Sequence, residues 1–183
     1  MPGVMTRMTS RSTSPLAVAE DAYLQMIGSA RNMVYITSPY LAISDTMMNA
    51  LCMAAESGVD VRLMLPGIPD HKFAYLAAEC YFGELLRRGV KLYIYEPGFL
   101  HSKTVLVDRE VAFVGSVNMD YRSFQLHFEC GSIFYGAPCT EDLLEDMDQI
   151  MEKSRNLTYE DWQHRPWYRR VLGPVMKLFA MWM

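Results

Sequence analysis

The chain has 183 residues, of which 51% are apolar and 21% charged, and its formal net charge is −4. This length allows one well-buried domain, and the composition is that of a globular protein, which excludes disorder over the whole chain. The mild negative charge disfavours bulk nucleic-acid binding, which is usually marked by a basic domain. No apolar run of about eighteen residues is present, so the sequence contains no candidate for a bilayer-spanning helix.

The first residues do not resemble a secretory signal. Residues 1–14 combine basic residues with many Ser and Thr, and they lack the apolar core that such a signal needs. We therefore predict a disordered leader over residues 1–14, one domain over residues 15–160 and a C-terminal tail over residues 161–183.

Helical and strand patterns alternate through the first half of the domain. Apolar residues at helical spacing are followed each time by a short strand-like run, and Pro or Gly ends most of these segments. In chain order the predicted elements are a helix over 17–31, a strand over 34–37, a helix from Ser44 or Asp45 to Gly58, a strand over 59–65, a helix over 72–88 closed by Gly89, and a strand over 90–95. This alternation predicts an α/β sandwich with a partly parallel sheet.

In the second half of the domain, the predicted strands are no longer separated by helices. Two apolar runs at 104–107 and 111–114 flank Asp108-Arg109-Glu110 and predict two strands joined by a tight turn. A further strand is predicted over 128–135. Residues 140–155 begin with acidic side chains and end with basic ones, which matches the dipole of a helix.

The cysteines are Cys52, Cys80, Cys130 and Cys139, and no two of them form a C-x-x-C pair. This spacing does not suit a zinc site, and a domain of this size does not need disulfide bonds. We expect buried, reduced thiols, and neither a metal nor another cofactor.

The strongest chemical signal lies between His101 and Asn118. Written out, it is His101-x-Lys103-x4-Asp108-x6-Gly115-Ser116-x-Asn118. Residues two apart on an extended strand point to one face, so His101 and Lys103 are expected to share a pocket. The imidazole can attack phosphorus or protonate a leaving alcohol, and the ammonium can hold a phosphoryl oxygen. Ser116 and Asn118 can add hydrogen bonds to those oxygens, while Gly115 lets the backbone approach the ligand.

This frame resembles the HKD signature of the phospholipase D superfamily, with all of its positions filled. The surrounding sequence is similar to the C-terminal catalytic half of bacterial cardiolipin synthases over roughly residues 15–183. The stretches that carry the likeness, besides the motif, are Ser38-Pro39-Tyr40, Gly58-Val59-Asp60-Val61-Arg62, Gly89 to Tyr95, Gly98 to Thr104 and Asn118 to Phe124. The resemblance implies a single-domain phospholipase D-like α/β/α sandwich with a mixed sheet, followed by a C-terminal interfacial helix.

The resemblance also implies roles for individual residues. His101 would be a catalytic histidine, and Lys103, Ser116 and Asn118 would bind the phosphoryl group. Glu129 would hydrogen-bond the histidine ring and set its tautomer. A carboxylate in an apolar strand also needs a partner on physical grounds, and a structural ion pair with an Arg is the alternative.

Two further positions have less obvious roles. Asp108 belongs to the catalytic signature, but its place at a strand–turn junction suits a carboxylate that accepts backbone N–H bonds, and we expect a structural role for it. His127 stands where the similar proteins commonly have Asn, two residues before Glu129. We expect His127 to point away from the face of Glu129 and to have little effect.

By resemblance, the reaction is phosphatidyl transfer between two phosphatidylglycerol molecules, which gives cardiolipin and glycerol through a phosphohistidine intermediate. Cardiolipin synthases carry two HKD halves that face each other, and this sequence has one. A symmetric homodimer or a separate N-terminal half would have to supply the second His-Lys set. The sequence leaves open whether His101 attacks or protonates. The alternatives are a one-motif phosphodiesterase or nuclease acting as a homodimer, and an inactive fragment of a two-motif enzyme.

The tail after Asp161 has no acidic residue and interleaves basic with aromatic and aliphatic side chains. That pattern is typical of an interfacial helix on anionic lipid, and Gly173-Pro174 is expected to kink it. We therefore predict peripheral attachment at the cytoplasmic face of the cell membrane, with phosphatidylglycerol and anionic membrane lipid as partners and no nucleic acid. The alternative is that the tail packs on its own domain or on the missing half.

Overall fold

The computed structural model describes residues 4–10 and 18–179, and all elements named below lie in these two ranges. The strands are β1 Val4–Ser10, β2 Met33–Thr37, β3 Leu41–Ala42, β4 Asp60–Pro66, β5 Lys91–Tyr95, β6 Thr104–Val107, β7 Val111–Gly115, β8 Met119–Asp120, β9 Glu129–Tyr135 and β10 Ser154–Leu157. The helices are α1 Val18–Ser29, α2 Asp45–Glu56, α3 Lys72–Arg87, α4 Tyr121–Gln125, α5 Cys139–Glu152, α6 Tyr159–Gln163 and α7 Trp167–Phe179.

Eight of the strands form one mixed sheet in the order β1-β9-β7-β6-β2-β4-β5-β10. Strands β2, β4 and β5 are parallel, and α2 and α3 provide the crossovers that parallel pairing requires. Strands β6, β7, β9 and β1 extend the sheet from β2 by antiparallel pairing, and β10 adds antiparallel to β5. The predicted α/β sandwich with a mixed sheet is confirmed.

Helices cover both faces of the sheet. The larger core lies under α1, α2 and α3 and contains Tyr23, Phe82 and Phe113, none of them more than 1% exposed. On the opposite face α5 packs Met147 against sheet residues that include Met64. Alternate residues of the central strands enter the two cores, as the pleat requires, so the molecule is a three-layer α/β/α sandwich.

Several helices and strands begin or end at the residues that the sequence predicts. The Ser44 hydroxyl accepts a hydrogen bond from the backbone N–H of Met47 at the start of α2. Gly89 follows α3 with φ of 92°, a conformation that favours glycine. Asp108 and Arg109, with φ of 51° and 61°, make the tight turn between β6 and β7.

The predictions for the two sheet edges were wrong. Residues 4–10 of the predicted disordered leader form β1, which pairs with β9 from Val4 opposite Tyr135 to Ser10 opposite Glu129. The rest of that leader lies outside the described residues. The helix predicted over 140–155 ends at Glu152, and the polar segment after it becomes β10. Cys130 and Cys139 are exposed, which contradicts the prediction of buried thiols for these two positions.

The tail packs one of its faces on α3. A Cβ on Gly83 would lie 2.3 Å from the Trp162 ring, so glycine is what lets this indole lie flat on the helix. The Trp162 indole N–H donates to the carbonyl of Glu79 at 2.8 Å, and Arg169 donates to the Glu79 carboxylate at 2.8 Å. The alternative of packing on its own domain therefore holds for this face of the tail.

The other face of α7 is exposed. Its uncovered apolar side chains are Trp167, Tyr168, Val171, Leu172 and Val175. The helix continues through Pro174, which lies inside it. None of the described helices combines the length and the apolar character that crossing a bilayer would require.

Candidate active site

The motif residues lie where the β6–β7 hairpin opens. His101 and Lys103 precede β6, which begins at Thr104, so the prediction that they lie on a strand was wrong. The reason lies in the neighbouring strand. Strand β6 pairs with β2 as far as Thr104 opposite Thr37, and the chain of β2 then leaves the ladder at Ser38.

A backbone hydrogen bond nevertheless holds the two motif segments together. The N–H of Gly115 donates to the carbonyl of Lys103 at 3.2 Å, just beyond the last paired residues of the hairpin. The Lys103 ammonium donates to the carbonyl of His101 at 2.6 Å. The His101 ring is exposed and lies beside the Phe99 ring, with 5.1 Å between the ring centroids. An exposed imidazole is accessible to a substrate.

Gly115 serves strand packing. A Cβ at this position would lie 2.6 Å from the carbonyl oxygen of Cys130 and 2.6 Å from the Phe113 ring. Gly131, opposite it on β9, is equally restricted, because its Cβ would lie 2.1 Å from the same ring. Glycine at this position is therefore required by the close approach of two strands, and the contact expected between the Gly115 backbone and a ligand stays a prediction.

Ser116 and Glu129 are hydrogen-bonded to each other in the site. The Ser116 hydroxyl donates to the Glu129 carboxylate and accepts from the backbone N–H of Cys130 at 3.1 Å. A hydroxyl has one proton, so in this arrangement Ser116 holds Glu129 and has no proton left for a phosphoryl oxygen. Among the described residues, no hydrogen bond joins the Glu129 carboxylate to the His101 ring, and that predicted contact stays a prediction.

His127 lies beside Glu129, contrary to our expectation. Its Nδ1 is 3.6 Å from Oε1 of Glu129, whose side chain is only 9% exposed. His127 lies in the bend between α4 and β9, and its backbone N–H donates to the carbonyl of Arg122 at 2.9 Å, so this bend positions the imidazole beside the carboxylate. Glu129 therefore lies between a hydroxyl and an imidazole, and the alternative of an Arg partner is not what the structure shows.

Burial lowers the pKa of the Lys103 ammonium below its ordinary value. The carboxylates of Glu129, Asp120 and Asp70 oppose this shift, so all three lie within electrostatic reach of the ammonium. A phosphodiester anion bound at Lys103 would favour the charged form in the same way.

Asp108 lies at the other end of the hairpin. Its carboxylate accepts the backbone N–H groups of Arg31, Asn32 and Met33, each at 2.8 Å. Burial raises the pKa of Asp108, but these three hydrogen bonds outweigh it and hold the pKa below its ordinary value. The carboxylate thus ties the turn to the loop before β2, which is the structural role expected of it.

A cavity of 380 Å³ opens beside Asn118, beyond the ends of the parallel strands β2 and β4. One wall is mostly apolar and comes from β3 and the first half of α3, with Leu41, Phe73, Ala74 and Ala77. The rest of the lining is mostly polar and includes Tyr40, His71, Asn118, Asp120, Arg122 and His127. Crevices at the carboxyl ends of parallel strands are common ligand sites. Within the described ranges, no group of His, Cys, Asp or Glu side chains is arranged to hold a metal ion.

Comparison with known proteins identifies the family. The family model described as "Cardiolipin synthase, PLD-like domain" matches residues 23–151. The chain belongs to this family. It is 40% identical over 158 residues to the cardiolipin synthase of Halalkalibacterium halodurans, covering 86% of this chain and 31% of that protein. It is 37% identical over 176 residues to the major cardiolipin synthase ClsA of Bacillus subtilis, covering 96% of this chain and 36% of that protein.

These relatives are much longer than the part that aligns with this chain. An uncharacterized protein of Streptococcus mutans is 41% identical over 172 residues, which are 92% of this chain and 37% of that protein. The chain thus spans about a third of the length of the curated relatives it matches.

Solved structures agree with the fold. Nuc from Salmonella typhimurium, a phospholipase D family member, superimposes with a TM-score of 0.71 at 22% identity, over 85% of this chain and 99% of that one. The phosphatidylserine synthase of Haemophilus influenzae gives a TM-score of 0.78 at 15% identity, over 99% of this chain and 48% of that one. At these identities the likeness establishes the phospholipase D fold alone.

The motif was predicted from the sequence, but most residues around the cavity were not. Tyr40 and Asp120 lie in stretches that resemble the family, and no chemical role was assigned to them. Asp70 and His71 follow β4. The sequence predicted only that Pro66-Gly67 ends this strand, and it assigned no role to these two residues. The Tyr40 hydroxyl donates to the Asp70 carboxylate, which brings the ends of two parallel strands together.

Proposed function

We propose that the chain supplies one catalytic half of a phosphatidyltransferase that joins two phosphatidylglycerol molecules into cardiolipin and releases glycerol. The observation that carries the proposal is the hydrogen bond between Gly115 and Lys103, which holds the two motif segments side by side at the open end of the hairpin. The identity of 40% and 37% to cardiolipin synthases supports the choice of substrate.

In the first step one imidazole attacks the phosphorus of phosphatidylglycerol. A P–N bond forms, the P–O bond to the terminal glycerol breaks, and an opposed imidazolium donates the proton that the leaving oxygen takes up. Lys103 stabilises the charge on the phosphoryl oxygens. The role of Glu129 in setting the tautomer of His101 belongs to this proposal; the carboxylate can accept from the ring while it keeps its bond with Ser116, because its two oxygens accept several hydrogen bonds.

In the second step a hydroxyl of another phosphatidylglycerol attacks the phosphatidyl-histidine. The P–N bond breaks, a new P–O bond forms, and the opposed imidazole takes the proton of the hydroxyl. Both histidines return to their starting states, and two phosphatidylglycerol molecules have given one cardiolipin and one glycerol.

A second His-Lys set is part of the proposal, because an in-line displacement places nucleophile and acid on opposite sides of phosphorus. Exposed apolar side chains near the motif and near Glu129 in sequence support a partner for this chain. Phe99, Val114, Leu126 and Phe128 are all exposed, and Phe128 is 72% exposed. Exposed apolar groups of this kind mark surfaces that another chain or domain covers. A homodimer or a separate N-terminal half fits this requirement.

The test compares the full chain with its His101→Ala variant on labelled phosphatidylglycerol dispersed in detergent micelles. We expect loss of cardiolipin formation by at least about a thousandfold, with the oligomeric state measured on the same samples by light scattering. His164→Ala is the matched control, because His164 lies in the tail with its ring bonded to the Glu160 carbonyl. Undiminished transfer by the His101 variant would contradict the proposal, and so would His101-dependent cleavage of single-stranded DNA without transfer.

We also propose that the exposed face of α7 contacts anionic lipid at the cytoplasmic face of the cell membrane. Trp167 is 76% exposed, and the basic residues of the helix accompany its apolar ones, which suits an interfacial position. Trp167→Glu is expected to weaken co-sedimentation with phosphatidylglycerol vesicles by about tenfold. Met53→Glu, at an exposed apolar position of α2, is the matched control. Equal loss in both variants would contradict a specific role for α7.

A further inference from the structure

A second concave site lies where α6 joins α7. This groove has a volume of 420 Å³, and it shares no lining residue with the cavity beside Asn118. Its lining residues are Trp162, Gln163, His164, Arg165 and Arg170. Two of these carry a guanidinium and none carries a carboxylate, so the lining is basic.

The Trp162 ring holds one of the guanidiniums in place. The indole lies on Gly83, donates to the carbonyl of Glu79 at 2.8 Å, and stacks on the Tyr159 ring with 5.5 Å between centroids. The Arg165 guanidinium lies over this fixed ring at 3.9 Å, and its Nη1 donates to the Trp162 carbonyl at 2.7 Å. A cation on an indole face is attracted by the ring, so Arg165 is oriented before any ligand arrives.

Positive charge is in excess around this guanidinium. Burial lowers the pKa of Arg165, and the nearby guanidiniums of Arg170 and Arg169 lower it further, while the Glu79 carboxylate opposes them. The Glu79 carboxylate already accepts from Arg169 at 2.8 Å. Three guanidiniums therefore share one carboxylate here. Over the described ranges, neither Arg165 nor Arg170 forms an ion pair with an acidic side chain.

The acidic residues of α6 do not supply the missing charge. They are Glu160 and Asp161, and neither lines the groove. The Asp161 carboxylate is used in the capping box of the helix, where it accepts from the hydroxyl of Thr158 at 2.7 Å. The groove is thus suited to an anion that comes from outside the chain.

Phosphate is the anion that matches these donors. Guanidiniums donate in a fork that fits phosphoryl oxygens, and their charge makes those hydrogen bonds strong. The Nε of Arg165 is buried, so a ligand in the groove meets the Nη atoms at the end of the side chain. His164 is not a ligand in this arrangement. Its Nδ1 donates to the Glu160 carbonyl at 2.8 Å, which leaves Nε2 of the neutral ring as an acceptor.

The position of Arg170 on α7 connects the groove with the exposed apolar face of that helix. Arg170 follows Trp167 by three residues, and residues three apart on a helix are neighbours. Trp167 is 76% exposed, and Val171, the next residue after Arg170, is 59% exposed. Cations beside an apolar helix face lie at the level of lipid headgroups when the face enters a membrane interface. A phosphate held in the groove would then belong to a lipid whose acyl chains lie along α7.

We propose that the groove between α6 and α7 binds the phosphate group of an anionic phospholipid, with Arg165 and Arg170 as its donors. This inference rests on the proposed lipid contact of α7, and it adds a phosphate site that is separate from the one at Lys103. Trp162 is a positioning residue in it, because it acts through the guanidinium of Arg165.

The test follows the indole N–H resonance of Trp162 in the full chain during titrations at one ionic strength. Inorganic phosphate, which carries the charge without acyl chains, is expected to give a saturable shift. Dihexanoyl phosphatidylglycerol, kept below its micelle concentration, is expected to bind about tenfold more tightly, because its short chains contact α7. Absence of a saturable phosphate response would overturn the site. Equal affinity for the two probes would overturn the lipid source and assign the groove to free phosphate.

Substitution of arginine by lysine separates a built site from general attraction to a basic surface. Arg165→Lys keeps the charge and loses both the fork and the stack on Trp162, so we expect both probes to bind at least about fivefold more weakly. Arg87→Lys, at the exposed last residue of α3, is the matched control. Unchanged binding by the Arg165 variant would overturn the proposal. Should that variant disturb the packing of the tail, Arg170→Lys makes the same comparison at an exposed position that does not touch the ring.

The result is distinguishable from failure of the proposed function. Binding in the groove needs neither turnover nor a second His-Lys set, so the Trp162 response is expected to be the same in Lys103→Met, which lacks the phosphate ligand of the motif. Loss of this response in Lys103→Met would overturn a separate site. Absence of a phosphate response while Trp167→Glu still weakens co-sedimentation with vesicles would overturn the groove and leave the proposed contact of α7 standing.

Discussion

The two ends of the β6–β7 hairpin carry opposite tasks on the same pair of strands. At the closed end, the Asp108 carboxylate accepts hydrogen bonds from three backbone N–H groups and so connects the turn to the loop before β2. At the open end, the ladder stops at Thr104, and His101, Lys103, Ser116 and Asn118 diverge around an exposed imidazole. The carboxylate of Asp108 is fully used by the backbone, whereas the exposed ring of His101 is accessible to a ligand, and we therefore expect substitutions at the two ends to have different effects.

The largest expected effect comes from the open end. Lys103→Met removes the ammonium and keeps much of the apolar stem, so we expect phosphatidyl transfer to fall by about a thousandfold. The midpoint of thermal unfolding should change little, because the described hydrogen bond of the ammonium is made with the exposed end of the loop. A large drop in that midpoint, measured by calorimetry, would show that Lys103 is needed for stability and would contradict this prediction.

A substitution on β9, opposite the last residue of β7, should destabilise the sheet beside the open end. The Cβ of Gly131→Ala would meet the Phe113 ring at 2.1 Å. We expect the free energy of unfolding to fall by about 3 kcal/mol. Urea unfolding measures this loss. Gly136→Ser is the comparison variant, because a Cβ at Gly136 would meet no atom within 4 Å. Gly136 has φ of 57°, so a cost from backbone strain alone is expected there.

At the closed end, Asp108→Ala is expected to lower the free energy of unfolding by about 2 kcal/mol, since it leaves three backbone donors without their acceptor. Transfer activity per folded molecule should stay within about twofold. Urea unfolding and a single-turnover assay on the same preparation check both halves of this prediction. A thousandfold loss of activity would give Asp108 a catalytic role.

The pH dependence of the Asp108 contribution sharpens the comparison further. Its pKa is held below the ordinary value of 3.8, so the native state prefers the ionised form more than the unfolded state does. That contribution to stability is fully present above about pH 4 and is lost as pH falls through the depressed pKa. The stability difference between the unaltered chain and Asp108→Asn should therefore shrink below about pH 4. A difference that grows on acidification would contradict the assigned sign.

The sequence was sufficient for the central elements because each one carries its own local signal. The cap at Ser44, the glycine at Gly89 and the polar turn at Asp108 lie between apolar runs of clear period, and the structure confirms them. The edge strands have no such signal. β10 is mostly polar, with Leu157 as its buried residue, and its pairing with β5 depends on contacts remote in sequence.

The candidate site was predicted as a set of residues, but its arrangement was not. His101 and Lys103 leave the strand because β2 ends opposite them, which is a property of the partner strand. The Asn118 amide donates to the Ser123 hydroxyl at 3.0 Å, a contact that no spacing in the chain encodes. His127 was expected to point away from Glu129 by strand alternation, but it lies in the bend before β9, where that alternation does not apply.

Helix α3 is the shared wall of two otherwise separate features. Its first half contributes Phe73, Ala74 and Ala77 to the cavity, and its second half receives the Trp162 ring at Gly83. The two sites are about 9 Å apart along one continuous helix of sixteen residues. Because a helix of this length is stiff, we expect a bulky residue at Gly83, which would displace the Trp162 ring, to alter ligand binding in the cavity at the other end of α3 as well.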